Sequence, residues 1–143
     1  MSWSVHELDA PAVTLSLQNT AVHAKAGIMI RETSAADSRH VILDIEPDGN
    51  VEFMTRSATG GATTWLGGTS RARPIWFKLA RSGTFVTGSI STDGVTWTSV
   101  GTANAPLTST VLVGLVVTSH DVSTLNTATF DQVAITDLNG APK

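Results

Sequence analysis

The chain has no cysteine, which excludes a disulfide framework, a thiolate metal site and a cysteine nucleophile. Charge is also sparse: 15% of the residues are Asp, Glu, Lys or Arg, the formal net charge is -3 and the isoelectric point is near 5.7. That balance has no electrostatic footprint for nucleic acid or for an anionic membrane surface, so neither is expected as a partner. No apolar run approaches the roughly 20 residues that span a bilayer. The opening MSWSVHELDAPAV carries acidic residues early and lacks a long apolar core, so it does not read as a signal peptide. On the sequence alone a soluble chain is expected, with its compartment unspecified.

What is present points to a folded domain. The 143 residues are 41% hydrophobic, enough for one hydrophobic core and in keeping with a single domain over residues 1–143. Nearly every periodic segment alternates with a period of two and is rich in Val, Ile, Thr and Trp, which suit a pleated surface.

The organising stretch is AKAGIMIRE, Ala24 to Glu32. Its spacing predicts a strand with Ala24, Ala26, Ile28 and Ile30 toward a core and Lys25, Met29 and Arg31 on the other face. A first strand is expected over Val13 to Leu17. His40 to Glu46 and Val51 to Arg56 alternate on either side of Pro47-Asp48-Gly49-Asn50, a strong turn signal, and predict a hairpin. Trp65 and Leu66 mark a short edge strand within a Gly, Ser and Thr-rich stretch. Ile75 to Ala80, Thr84 to Ser91 and Val95 to Val100, joined by Arg81-Ser82-Gly83 and Thr92-Asp93-Gly94, predict a meander. VLVGLVV, Val111 to Val117, is apolar on both faces and reads as a central strand covered on both sides. The last strand is expected over Thr127 to Thr136, with a bulge near Asp131 and Gln132. About ten strands and no helical stretch indicate an all-β, two-sheet antiparallel sandwich or barrel.

Several of these pieces together resemble a known group. AKAGIMIRE followed by SRHV at Ser38 to Val41, PIWFKLARSG at Pro74 to Gly83, SxDGxTW at Ser91 to Trp97, VGLVVTSH at Val113 to His120 and ATFD at Ala128 to Asp131 look like a bacterial module of the concanavalin A-like lectin/glucanase superfamily. The resemblance covers about Val13 to Ile135 and implies a jelly roll of two antiparallel sheets. Modules similar to this are commonly appended to secreted bacterial enzymes and surface proteins, and most have no assigned ligand. Two departures stand out. The first Met lies only a short way before the anchor strand, where similar modules have several tens of further residues, so an unpaired sheet edge and a homo-oligomer are expected. His23 also stands where similar modules often carry an aromatic residue.

Candidate chemistry divides into catalysis, metal binding and glycan binding. Retaining glucanases of this fold carry two Glu residues flanking an Asp on one strand face. Asp44 and Glu46 share a face here, but Ile42 occupies the place of the first Glu, so the triad is incomplete. His6, His23, His40 and His120 lack metal-pair spacing; a calcium site around His120 with Asp121 or Asp131 is the one cofactor to weigh. Gly60-Gly61 and Gly67-Gly68-Thr69-Ser70 lack the Lys of a phosphate loop. SxDGxTW resembles an Asp-box hairpin one residue short, which makes Asp93 and Trp97 structural. No Ser sits in a nucleophile-elbow context.

Sugars are held by flat aromatic faces and planar hydrogen-bonding groups. Trp76 shares a strand face with Lys78, Trp65 lies in an exposed-looking segment, and Arg31, Asp44, Glu46 and Arg56 lie on neighbouring strands. The expected function is therefore a non-catalytic, lectin-like module that binds a glycan on one sheet face through Trp76, Trp65, Arg31, Arg56, Lys78, Asp44 and Glu46. The alternatives are an interaction domain that self-associates through an open edge and, third, a glycoside hydrolase.

Overall fold

The computed structural model describes residues 2–4 and 7–136. The chain is an all-β, two-sheet antiparallel sandwich. In order the strands are β1 (Ser2–Ser4), β2 (Glu7–Leu17), β3 (Lys25–Arg31), β4 (His40–Ile45), β5 (Asn50–Arg56), β6 (Thr64–Ser70), β7 (Ile75–Ser82), β8 (Phe85–Ser91), β9 (Thr98–Asn104), β10 (Thr110–Thr118) and β11 (Ala128–Asp131). One sheet has the order β1-β10-β3-β4-β5-β6 and the other β11-β2-β7-β8-β9.

Alternation builds the core as the sequence requires. Ile28 and Ile30 of β3, Val41, Leu43 and Ile45 of β4 and Val51 and Phe53 of β5 turn inward and are buried, against Ile75, Phe77 and Leu79 of β7 and Val86 and Ile90 of β8. Phe53 locks the two sheets together. A Cβ added at Gly88 or Gly101 would lie 2.7 or 2.8 Å from its ring, so the opposite sheet leaves a Gly-lined slot for it.

The β4–β5 hairpin follows from its turn. Gly49 takes φ 94°, open to Gly at little cost, and the Asp48 carboxylate accepts the Asn50 N–H at 2.9 Å. This sets the register Asp44 opposite Glu52 and Ile42 opposite Met54.

The first strand starts earlier than expected, at Glu7, and the last is shorter, Ala128–Asp131; four further expectations need correction. β9 begins at Thr98 rather than Val95, because the Asp93 carboxylate takes the Val95 and Thr96 N–H groups, both at 2.8 Å, and keeps those residues in the turn. β6 runs through both glycines of Gly67-Gly68, which pair with Phe53 and Glu52, with a register shift between Phe53 and Met54. β10 is not covered on both sides: Val111 and Val113 are buried, but Leu115 and Val117, farther along the same face, are 46% and 40% exposed. The β11 irregularity lies between Thr129 and Phe130 rather than at Asp131 and Gln132; Gln132 has φ 52° just past the strand. His6 lies outside the described residues.

Candidate functional site

The outer face of the six-stranded sheet collects most of the polar side chains singled out above. Register places them in cross-strand rows. Arg31, His40 and Arg56 form one; Met29, Ile42, Met54 and Trp65 the next; Gly27, Asp44, Glu52 and Gly68 the third. The face therefore carries cations at one end, an apolar middle and carboxylates at the other end.

At the acidic end Gly27 makes the room. A Cβ there would sit 2.1 Å from the Leu43 carbonyl oxygen and 2.8 Å from Asp44 Cβ, so the absence of a side chain lets Asp44 lie against β3. Asp44 is 0% exposed and neither carboxylate oxygen has a hydrogen-bond partner. Burial pushes its carboxyl up to about 8, with Lys25 opposing and Glu52 and Glu46 adding to the rise. At neutral pH it is mostly a neutral acid.

Glu46 beside it behaves in the opposite way. Burial would raise its pKa, but hydrogen bonds from Asn50, Lys25 and His23 and the Lys25 charge outweigh burial and hold it at about 2. Asn50 Nδ2 donates at 2.8 Å, Lys25 Nζ at 2.9 Å, and His23 Nδ1 lies 2.7 Å from Oε1. Lys25 Nζ also donates to Glu52. Burial works to lower the Lys25 pKa, yet its bonds to Glu52 and Glu46 and the nearby negative charge raise it. A half-buried cation thus closes a cluster of three acids.

At the other end the loop between β3 and β4 holds two guanidinium groups. Arg31 Nε donates to the Thr33 carbonyl at 3.1 Å and Nη2 to that of Ala35 at 2.5 Å. Arg56 Nη1 donates to the Ala36 carbonyl at 2.7 Å and more weakly to that of Ser38 at 3.4 Å. His40 between them is buried, and burial, with Arg56 and Arg31 nearby, lowers its pKa. Trp65 sits one strand over on the edge, 60% exposed. Its indole lies across Gly68, where a Cβ would meet Cζ2 at 3.2 Å.

The expected site residues thus separate. Arg31, Arg56, Trp65, Asp44 and Glu46 share one face, but Asp44 and Glu46, at 0% and 4% exposed, stand behind it. Trp76 and Lys78 lie on β7 in the other sheet and point outward there, so they cannot line the same groove. Trp76 meets Trp97 edge to face at 6.5 Å, Lys78 Nζ lies 4.4 Å from the Trp97 ring centroid, and a Cβ on Gly94 would sit 2.8 Å from the Trp76 ring. That aromatic pair packs under the Ser91–Trp97 turn, whose Asp93 carboxylate also accepts the Ser91 hydroxyl at 2.8 Å.

For a metal, the Asp121 carboxylate is occupied by the Ser123 N–H and hydroxyl, at 2.9 and 2.8 Å, and by the Thr124 hydroxyl at 3.1 Å. Asp131 belongs to the other sheet. His120 meets the His23 ring at 5.6 Å. Among the described residues no group of three or more His, Asp or Glu side chains is placed to hold a metal ion.

Sequence reasoning missed Lys25, Glu52 and Asn50 as partners of Asp44 and Glu46, and His40 as the residue between the two arginines. The signal was available: once the Pro47–Asn50 turn fixes the hairpin, Glu52 must face Asp44, and Arg56 must face His40.

No family model matches the chain, and no curated protein matches it. Solved structures do share its fold. A GH43 protein, the BlXynB K247S mutant from Bacillus licheniformis, superposes with a TM-score of 0.71 at 16% identity over 87% of this chain and 26% of that one. A functionally unknown protein from Saccharomyces cerevisiae matches with a TM-score of 0.70 at 20% identity, covering 96% and 72%. The carbohydrate-binding module CBM66 from Bacillus subtilis matches with a TM-score of 0.61 at 14% identity, covering 94% and 76%. The chain spans about a quarter of the GH43 protein's length, and its similarity to these structures is one of fold.

Proposed function

We propose that the chain is a non-catalytic carbohydrate-binding module that lays a glycan on the outer face of the six-stranded sheet, against Trp65, Arg31 and Arg56. One observation carries this reading: a Trp that is 60% exposed on an edge strand, on the same face as two guanidinium groups. An indole left open to water costs free energy unless something stacks on it, and sugar C–H faces are suited to do so. Carbohydrate-related proteins among the structural neighbours, CBM66 and GH43, support the class.

A binding role fits better than hydrolysis. A glycosidase needs an acid in contact with the glycosidic oxygen and a second carboxylate across the bond. Here Asp44 is sealed, Glu46 is nearly so, Lys25 bridges Glu46 and Glu52, and Ile42 takes the third place on β4. Trp76 and Lys78, bound up with Trp97, are assigned to the stability of the opposite sheet.

The test is a screen of purified protein against a glycan array and insoluble polysaccharides, with calcium and with chelator, for wild type and Trp65→Ala. Retained glycan binding that drops at least tenfold in Trp65→Ala supports the reading; absence of binding to every glycan rejects it. A second reading is self-association with another copy of this chain. It is favoured by Leu115 and Val133, 46% and 47% exposed, which line one apolar crevice between the sheets with Ile28, Val113 and Ile135. Light scattering on the same sample, with Leu115→Glu as control, decides it.

A further inference from the structure

We propose that the mouth between the two sheets beside Arg71 is a pocket for one neutral sugar ring. It is a second site, separate from the outer face on which Trp65 lies, and does not rest on that reading.

The first observation is a cavity with a rim drawn from both sheets. It measures about 200 Å³ and is lined by Arg71, which follows β6, by Ile75 of β7 and Ile90 of β8, and by Thr92, Thr96 and Thr98 at the start of β9 and the turn before it. Ile75 and Ile90, 1% and 3% exposed, close it at the bottom with the edge of the core. Pockets for drug-sized ligands run to about 300–1,000 Å³; this one has room for a single ring.

The second observation is what points into it. Thr69 pairs with Val51 and Thr98 with Ile90, and residues directly opposite in an antiparallel ladder share a face. Val51 and Ile90 are buried between the sheets, so Thr69 and Thr98 face inward from opposite sides. Arg71 Nη1 donates to the Thr69 hydroxyl at 3.1 Å and to the Ser70 carbonyl at 2.7 Å, which holds the guanidinium on that inner side. Arg71 is nevertheless exposed, and its Nε and Nη2 make no bond among the described residues. The hydroxyls of Thr92, Thr96 and Thr98 make none there either. Open guanidinium donors and three open hydroxyls thus surround an apolar floor.

The third observation is that both sides of the mouth are braced. The Arg71 N–H donates to the Gly49 carbonyl at 2.9 Å, and the Arg71 carbonyl oxygen lies 2.6 Å from where a Cβ on Gly49 would be. Across the mouth the Asp93 carboxylate ties down the Ser91 hydroxyl and the Val95 and Thr96 N–H groups. Groups already in place bind a ligand without the entropy cost of ordering them.

Charge then selects the ligand class. Arg71 makes no ion pair among the described residues, and the turn at residues 91–97 contains one acid, Asp93. One cation and one carboxylate leave the rim without net charge, so neither an anion nor a cation is favoured. What remains is hydroxyls that both donate and accept, guanidinium N–H donors and a small apolar floor. A sugar ring is the complement, with hydroxyls around its rim and C–H groups on its face.

The experiment is titration of isotope-labelled protein, followed by amide NMR shifts, with D-xylose, L-arabinose, D-glucose, D-galactose and D-mannose, and with glucuronate and inorganic phosphate as charged probes. It uses wild type, Arg71→Ala and the double variant Thr96→Val/Thr98→Val, each checked for folding by circular dichroism. At least one neutral sugar should shift the amides of Thr92, Thr96 and Thr98 saturably. Arg71→Ala should weaken that binding at least tenfold, and Thr96→Val/Thr98→Val at least threefold. No saturable shift at these amides with any neutral sugar, equal affinity in Arg71→Ala, or tighter binding of glucuronate or phosphate than of every neutral sugar would overturn the pocket. Polysaccharide binding that is lost in Trp65→Ala would leave the sheet-face reading standing in each of those cases. Sugar shifts at the pocket with no polysaccharide bound in the glycan screen would overturn the sheet-face reading and keep this one.

Discussion

Asp44 is a carboxyl group folded into a place with no donor for it. With its pKa raised from 3.8 to about 8, the native state holds a proton that the unfolded chain releases. Between about pH 4 and pH 8 unfolding therefore gives up a proton, and stability contributed at low pH is lost as pH rises. Urea denaturation across that range should show stability falling by a few kcal/mol, on the scale of about 1.4 kcal/mol per pKa unit. Asp44→Asn should flatten the decline and be the more stable protein at pH 8; a decline as steep in the variant would contradict the assignment. Gly27 is the counterpart of that burial. A Cβ 2.1 Å from the Leu43 carbonyl oxygen cannot be accommodated by side-chain motion, so Gly27→Ala should destabilise by about 3 kcal/mol or more, read from the shift in urea midpoint. The small size of Gly27 was visible in the sequence as room for close approach, but what approaches was not. Periodicity says which face a residue takes, and only the register between strands says which partner it meets.

The strands show where local pattern suffices. The β3, β4 and β5 segments alternate cleanly, and Ile28, Ile30, Val41, Leu43, Val51 and Phe53 all face the core as their spacing demands. β10 looked doubly covered because its composition is apolar throughout, yet Leu115 and Val117 are exposed although their partners on β3, Ile28 and Ala26, are buried, and among the described residues β1 flanks β10 only along Thr110 to Leu112. Composition cannot report how far a neighbouring strand extends. The Ser91–Trp97 turn misled the boundary of β9 for a different reason, since Asp93 competes for N–H groups that a strand would otherwise use. Burial contributes little at Asp93; the Thr96, Val95 and Ser91 hydrogen bonds lower its carboxyl to about 2. Their stabilisation is present above the usual Asp pKa and fades as pH falls toward 2. Asp93→Ala should lower the melting temperature by a few degrees at pH 7 and make little difference at pH 2, measured by thermal circular dichroism.

At the scale of the molecule, two sheets give two outer faces with different side chains. One carries Trp76, Trp97 and Lys78 packed among themselves under a turn. The other carries Trp65 open beside two guanidinium groups that lack carboxylate partners. The fold class was legible from period-two alternation and turn residues alone, and Trp65, Arg31 and Arg56 were legible as binding candidates. The division of candidates between faces was not, because strand order within a sandwich depends on which sheet each strand joins. The exposed apolar side of β10 belongs to the same scale. If it pairs with a second copy, light scattering should give at least twice the 15.0 kDa chain mass, and Leu115→Glu should return the monomer. The most direct measurement of glycan binding at Trp65 compares Trp65→Ala with Trp76→Ala, with a melting curve for each. Trp65→Ala should lose binding at least tenfold at an unchanged melting temperature, while Trp76→Ala should melt lower and, below its melting point, still bind. Binding lost only in Trp76→Ala, with Trp65→Ala indistinguishable from wild type, would place the ligand on the other sheet and contradict it.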